Sequence, residues 1–140
     1  MTAPEATVMG MTAARSPIVR QAADVAAMTA LATDRRDSGA DPAGWASGPG
    51  WYSGVTAALE WAAGHRADPP MSHPAGPGAV CSHPASAGPP DRRAIARERG
   101  AAEEHLDGGY RHGDHSPGYA DGVIAAIGWL LDQAAGPPAA

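Results

Sequence analysis

The sequence predicts an all-α protein: a duplicated helical hairpin in a pseudo-twofold four-helix arrangement, with a Pro/Gly-rich central linker and a disordered N-terminus. Two observations predict it. Apolar residues recur at helical spacing in four segments, and one apolar helix motif occurs twice. The motif reads G-V-x-A-A-(Leu or Ile)-x-W and begins at Gly54 and again at Gly122. The alternative is that two alanine-rich helices merely look alike. Tryptophan has a single codon, so its recurrence in one register weakens that alternative.

The composition favours a small bacterial protein with a thin core. The 140 residues include no lysine, asparagine or phenylalanine, which indicates a GC-rich coding sequence of a bacterium or its phage or plasmid. Apolar residues make up 44% of the chain, but most of them are alanine, which buries little surface. Stability is therefore expected to be modest, or to depend on a partner or on self-association.

Charge, cysteine content and hydropathy exclude several classes of protein. The net charge of −5 argues against a general nucleic-acid binder. The single cysteine cannot form an internal disulfide, and the N-terminal residues show no signal-peptide pattern. The longest apolar run, 123–131, is about half the length of a membrane span. We therefore expect a cytoplasmic protein that binds neither nucleic acid nor membranes.

The distribution of proline and glycine divides the chain into four parts. Residues 1–15 form a disordered tail, and 16–70 form the first helical hairpin. The stretch from 65 onward is rich in proline without periodicity, and 71–90 is taken as an extended or disordered linker. The second hairpin follows at 91–140.

The first hairpin consists of an alanine-rich helix, a loop and the first motif helix. Ser16 and Pro17 are a start signal, because serine caps free N–H groups and proline is tolerated at the first helical position. The helix is expected to fade within 34–37. After a Gly-rich loop, the motif helix is predicted from about Ser53 to Gly64, where the glycine ends it.

The second hairpin repeats this order. Asp91 is predicted to cap a charged helix, and Ser116 with Pro117 repeats the start signal for a motif helix that ends near Gln133. The charged helix is interpreted as solvated, since acids and bases cover most of its circumference. Its charged residues are these: Arg92, Arg93, Arg97, Glu98, Arg99, Glu103, Glu104 and Asp107.

The two motif helices are predicted to pack on each other at the centre of the fold. A single hairpin of this size cannot bury its own apolar stripe, whereas two hairpins can bury each other's. Small residues four apart allow the helices to approach closely, and larger side chains supply apolar burial. The predicted packing residues are these: Gly54, Ala58, Leu59, Gly122, Ala126 and Ile127.

Six aromatic side chains are candidates for a contact surface, wherever they are not buried. Aromatic residues are enriched at protein interfaces because they combine a large apolar area with a polar group. For the two tryptophans that bracket the first loop, folding back onto the core is the favoured alternative. The candidates are these: Trp45, Trp51, Tyr52, Trp61, Tyr119 and Trp129.

Histidines and one cysteine raise the possibility of a metal site. Imidazole and carboxylate groups are suitable zinc ligands, and the best candidate set surrounds the second loop: His105, His112, Asp114 and His115. A second group, His73, Cys81 and His83, lies in the linker. Neither group has the paired spacing of a known zinc module, so solvated loop histidines are the favoured interpretation.

The sequence favours a function without catalysis. The chain has no lysine for a Walker-type loop and no G-x-S-x-G nucleophile motif. No catalytic residue and no cofactor are expected. The leading prediction is a helical interaction or regulatory module that binds a protein partner or forms a homodimer. The alternatives are a metal-binding protein that uses the loop histidines, and an enzyme with a site assembled across the two halves.

Overall fold

A computed structural model describes residues 17–39, 50–72, 89–108 and 116–139 of the chain. Within these residues every regular element is a helix, so the predicted all-α class is confirmed. We number the helices in chain order: α1 Ala22–Asp37, α2 Trp51–Ala62, α3 Arg92–Asp107 and α4 Pro117–Leu131.

The helices α2 and α4 form the centre of the molecule. They make the most extensive helix–helix contact, while α1 packs on α2 and α3 packs on α4. Both central helices are apolar on most of their circumference, which is the pattern of a helix buried by neighbours on several sides. The largest fully buried apolar side chains come mainly from this pair: Val55, Leu59, Ile95, Val123, Ile127 and Leu130.

The predicted start of the first helix at residues 16 and 17 is wrong. The helix α1 begins at Ala22, and Gln21 precedes it in an extended conformation (φ −73°, ψ 151°). The residues before it are used elsewhere, because the Val19 N–H donates to the Leu130 carbonyl oxygen at 2.9 Å. A tertiary hydrogen bond at the end of α4 therefore holds this segment outside the helix.

The helix α2 lies two residues earlier than predicted and ends with a Schellman motif. Its first residue is Trp51, and Gly64 after its end has a positive φ of +84°. The Gly64 N–H donates to the Trp61 carbonyl oxygen, and the His65 N–H donates to that of Glu60. Both bonds satisfy carbonyl groups of the last turn, and glycine adopts this left-handed conformation without a steric penalty.

The helices of the second half begin as predicted. The Asp91 carboxylate accepts from the Ala94 N–H at 2.8 Å, and the Ser116 hydroxyl accepts from the Tyr119 N–H at 3.2 Å. Each bond satisfies an N–H group that has no partner inside its helix. The helix α4 ends at Leu131, two residues before the predicted end.

The segment after α2 packs against the rest of the chain as far as Ser72. Pro69, Pro70 and Met71 are buried, although the proline content predicts an extended or disordered chain from residue 65 onward. The composition describes the backbone preference of this segment, but the contacts that cover it come from α3 and α4. Residues 73–88 lie outside the part of the chain that the structure describes.

Candidate functional site

Two glycines set the contact between α2 and α4. A Cβ atom at Gly54 would collide with the Tyr119 carbonyl oxygen, and a Cβ atom at Gly122 would collide with the Trp51 carbonyl oxygen. Each glycine therefore admits the backbone of the opposite helix. The six residues predicted to pack the motif helices are all buried: Gly54, Ala58, Leu59, Gly122, Ala126 and Ile127.

Two aromatic side chains near the starts of α2 and α4 hold the two Pro-Pro segments through hydrogen bonds. The Trp51 indole N–H donates to the Pro138 carbonyl oxygen at 2.9 Å. The Tyr119 hydroxyl donates to the Pro70 carbonyl oxygen at 2.8 Å. In each case an aromatic donor near the start of a central helix holds the segment that follows the other central helix.

Three of the six aromatic residues predicted as a contact surface are core residues. Trp51, Trp61 and Trp129 are each no more than 9% exposed, so they contribute little accessible surface. Tyr52 and Tyr119 are half-buried. Trp45 lies outside the described residues. These three tryptophans are buried because the alanine-rich helices leave space that large rings fill.

The interpretation of Glu98 as part of a solvated face is wrong. Its side chain is 2% exposed and accepts from the Met71 and Ser72 N–H groups at 2.6 and 3.0 Å. It also accepts from the Ser72 hydroxyl. A buried carboxylate costs free energy unless such donors surround it. Glu98 lies three residues after Ile95 and four before Ala102, both buried, and that spacing could have revealed it.

Arg20 caps the C-terminal end of α4. Its Nε donates to the Trp129 carbonyl oxygen at 2.7 Å, and its Nη2 donates to those of Asp132 and Ala135 at 2.9 and 3.0 Å. The guanidinium carbon also lies 4.7 Å from the centre of the Trp129 ring. A cation in this position is favoured by the negative end of the helix dipole and by the ring face. No local signal in the sequence predicts this role.

Burial raises the pKa of Tyr119 to about 12. Desolvation of the phenolate is the main cause. The Arg66 guanidinium lowers the pKa, and the nearby Glu98 carboxylate raises it. Tyr119 therefore stays a neutral hydrogen-bond donor to Pro70 at ordinary pH, and it lacks the lowered pKa that a catalytic phenolate requires.

A cavity of about 520 Å³ lies between the first half of α1 and the end of α2. We call it the α1–α2 groove. Most of its lining is apolar, and Arg20, Thr29 and His65 are its only polar lining residues in the described part of the chain. Its apolar lining residues are these: Ile18, Ala22, Val25, Ala26, Ala30, Ala62, Ala63 and Pro89.

A second, more open cavity of about 300 Å³ lies on the other side of α1. Asp24, Ala27, Met28 and Leu31 of α1 line it, together with Arg20 and Trp129. Thus α1 has a cavity on each side. The buried polar groups described above bind backbone atoms within the fold.

The candidate metal ligands are not brought together in the described part of the chain. His105 is a buried residue of α3, 9% exposed, and therefore is not a loop residue. His112, Asp114 and His115 lie outside the described residues, as do His73, Cys81 and His83. Among the residues that the structure describes, no three potential ligands lie close enough to hold a metal ion. The zinc site stays a prediction.

Comparison with protein-family models, with curated proteins and with solved structures gives no match for this chain. In the described ranges, none of the helices has the length and apolar character that crossing a membrane requires.

Proposed function

We propose that this chain is a non-catalytic interaction module, built from a duplicated helical hairpin, that binds a protein partner or a second copy through the outer face of α1. The duplication is supported by paired relationships at one constant separation. Trp51 and Tyr119 are 68 positions apart, as are Pro70 and Pro138. The two aromatic donors and the two proline acceptors therefore correspond, and each bond joins one half to the other.

The two contact glycines follow the same rule. Gly54 and Gly122 are also 68 positions apart, and each lies against the backbone of the residue three positions before the other. A reciprocal contact of this kind is what a twofold axis between two equivalent hairpins produces. It supports an ancestor in which one hairpin formed a homodimer.

The outer helices also correspond, although their sequences differ. Both α1 and α3 contain 16 residues, and a shift of 70 positions superimposes their ends. The same shift places the buried Val25 on the buried Ile95, and Ala32 on Ala102. The shift is 70 positions for the outer helices and 68 positions for the central helices. The difference of two residues falls in the connections between each outer helix and the central helix that follows it.

One observation carries the proposal that α1 is the binding surface. At corresponding outward positions, α1 has the exposed Ala23 and Ala27, whereas α3 has the exposed Arg93 and Arg97. Arginine keeps a helix face solvated, whereas exposed small residues allow another helix to approach closely. Since the fold accepts arginine at these positions of α3, the alanines of α1 are not needed for folding.

The experiment replaces the outer face of α1 with that of α3. The double variant Ala23→Arg/Ala27→Arg is expected to fold normally and to lose partner binding. Association of purified protein is measured by sedimentation equilibrium, and binding of other proteins by crosslinking and affinity capture in the cells that express the chain. The matched control is Arg93→Ala/Arg97→Ala on α3. The proposal is wrong if both double variants associate and capture partners as the wild-type chain does.

A further inference from the structure

The chain after α4 fills a peptide site at the first residue of α2, which we call the Trp51 site. The Trp51 indole N–H donates to the Pro138 carbonyl oxygen at 2.9 Å, and both Pro138 and Ala139 are buried. Aromatic side chains also line the grooves in which other domains bind proline-rich peptides. The segment that is bound here therefore indicates the ligand that the site accepts: a Pro-Pro sequence followed by a small residue.

The residues before this bound segment are held separately. Arg20 donates to carbonyl oxygens of residues 132–135 and so fixes that stretch to the end of α4. Gly136 follows, is exposed, and has open space around its Cβ position. Glycine has the greatest backbone freedom of any residue. Residues 137–139 can therefore leave the Trp51 site while Arg20 keeps its own contacts.

The equivalent segment in the first half has a second anchor. Besides the bond from Tyr119 to Pro70, the Glu98 carboxylate accepts from the backbone N–H groups of Met71 and Ser72. Tyr119 belongs to α4 and Glu98 belongs to α3, so two different helices hold that segment.

The Trp51 site has only its own donor among the described residues. The shift of 70 positions that superimposes α1 on α3 places Met28 where α3 has Glu98, and a thioether is only a weak acceptor. In the part of the chain that the structure describes, residues 136–139 make a single hydrogen bond, the one from Trp51 to Pro138. The segment at the Trp51 site is therefore the one that a competing peptide can replace.

We propose that the Trp51 site binds a proline-rich segment of a partner protein in exchange for residues 136–139 of this chain. A second copy would bring the identical segment and would gain no contact over the one already bound. A partner with proline in place of Gly136 gains affinity, because a proline-rich segment is preorganised and loses less conformational freedom on binding. Gly136 does not have a positive φ and its Cβ position is open, so its place admits a proline.

This site goes beyond the protein contact proposed for the outer face of α1, since Trp51 is the first residue of α2. The comparison of Met28 with Glu98 uses the proposed correspondence of the two halves. The bond from Trp51 to Pro138 does not depend on that correspondence.

The test uses the full chain with the peptide acetyl-Ala-Pro-Pro-Pro-Ala-amide as the probe. In the wild-type chain, excess peptide should displace residues 136–139. The NMR resonances of the Gly136 and Ala139 amides should then move to positions typical of an unstructured chain. The peptide acetyl-Ala-Gly-Ala-Ala-Ala-amide, which lacks the prolines, should leave both resonances in place.

Two matched variants locate the peptide at Trp51. Pro138→Asp puts a charge into a buried position, which expels the segment and opens the site. The proline peptide should bind this variant with a dissociation constant below about 1 mM and about tenfold or more tighter than the wild type, because the tethered competitor is gone. Binding should also shift the Trp51 indole N–H resonance. Pro137→Asp makes the same change at the exposed neighbouring position and should leave the affinity at its wild-type value.

Three results would contradict this proposal. They are an unmoved Ala139 amide in the wild type with excess proline peptide, equal displacement by the alanine peptide, and equal affinity of the two aspartate variants. A melting curve checks the folding of both variants, and the wild-type displacement decides the proposal if Pro138→Asp does not fold.

Two further measurements separate this proposal from others. If the wild type dimerises, Pro138→Asp is monomeric and the peptide binds neither, the occupant is a second copy and the proposal is wrong. Ala23→Arg/Ala27→Arg should bind the peptide as the wild type does, so a failure of the outer-face proposal and a failure of this one are distinguishable.

Discussion

The indole N–H of Trp51 donates to the carbonyl oxygen of Pro138, 87 residues later in the chain, at 2.9 Å. Proline has no N–H group, so a Pro-Pro segment can be held only through its carbonyl oxygens and its ring contacts. The bond therefore fixes the chain after α4 onto the first residue of α2. The bond from Tyr119 to Pro70 does the same for the chain after α2.

Removal of one of these donors should destabilise the fold measurably. Tyr119→Phe keeps the ring and deletes the hydroxyl, which leaves the Pro70 carbonyl oxygen without its donor. A lost hydrogen bond of this kind costs about 1–2 kcal/mol in the free energy of unfolding. Urea denaturation of the wild type and the variant measures the difference.

Tyr52→Phe is the matched control for that measurement. Tyr52 is half-buried, and its hydroxyl makes no hydrogen bond within the described residues. Its loss should change the free energy of unfolding by less than about 0.5 kcal/mol. Equal effects of the two phenylalanine variants would show that the Tyr119–Pro70 bond contributes nothing.

The close approach of α2 and α4 leads to a second prediction, on glycine. Gly54→Ala and Gly122→Ala each place a methyl group against a backbone carbonyl oxygen, which cannot move independently of its helix. We expect each to lower the free energy of unfolding by about 3 kcal/mol. In the same helix as Gly122, Gly128 has open space around its Cβ position.

Gly128→Ala is therefore expected to stabilise the protein, by about 0.5–1 kcal/mol, because alanine loses less backbone entropy than glycine in a helix. The opposite signs of the two changes distinguish the contact between the helices from a general effect of helix propensity. Thermal melts of the three alanine variants measure both signs. Destabilisation of similar size at all three positions would contradict the proposed role of Gly54 and Gly122.

The sequence predicts those features of the fold that depend on local spacing. The apolar periodicity reveals α2 and α4, and the G-V-x-A-A motif identifies residues that pack between them. The Ser116-Pro117 signal locates the start of α4. The identical Ser-Pro pair at 16–17 does not start α1, because the neighbouring Val19 and Arg20 bind the end of α4 instead.

The features that the sequence does not predict depend on partners far along the chain. The proline-rich segment after α2 gives no indication of the Glu98 carboxylate and the Tyr119 hydroxyl that hold it, since those residues lie 26 or more positions away. The groove is also a tertiary feature, because its two walls come from separate helices and alanine has no periodic signal of its own. The burial of Glu98 is predictable in part, because Glu98 lies on the buried stripe of α3.

A third prediction concerns this buried carboxylate. Glu98→Leu leaves two N–H groups, those of Met71 and Ser72, without an acceptor, and each such loss costs about 1–3 kcal/mol. We expect a decrease of about 3 kcal/mol in the free energy of unfolding. Hydrogen exchange at the Met71 and Ser72 amides should become faster than at the core amides of α4.

The control for Glu98 lies on the same helix. Glu103 is exposed and lies 4.0 Å from Arg99, an ion pair worth about 0.5 kcal/mol or less. Glu103→Leu should therefore leave both the stability and the exchange of Met71 nearly unchanged. If Glu98→Leu leaves the exchange of Met71 unchanged, the carboxylate does not hold this segment.

A fourth prediction concerns stability at high pH. The pKa of Tyr119 is about 12 in the folded chain against a usual value of 10.0, so the unfolded chain loses this proton first. The contribution of Tyr119 to the free energy of unfolding is therefore complete below pH 10. This contribution, up to about 3 kcal/mol, is lost as the pH rises through 12. Absorbance at 295 nm should show a late tyrosine ionisation step with a pKa of about 12. Tyr119→Phe should abolish that late step, and its persistence would mean that another tyrosine is the buried one.

The fifth prediction concerns zinc, and it separates the interaction module from the metal-binding alternative. His105 is buried in α3, so it would have to leave its position to join His112, Asp114 and His115 as a ligand. A structural zinc site needs four ligands in tetrahedral geometry, and a fold that depends on it unravels when the metal is removed. We expect far-UV circular dichroism melts in EDTA and with one equivalent of zinc to show the same cooperative helical transition.

The double variant His112→Ala/His115→Ala should melt in the same way under both conditions. If helicity and cooperativity appear only with zinc, and this variant abolishes them, the chain is a zinc-dependent protein and α3 must rearrange when the metal binds.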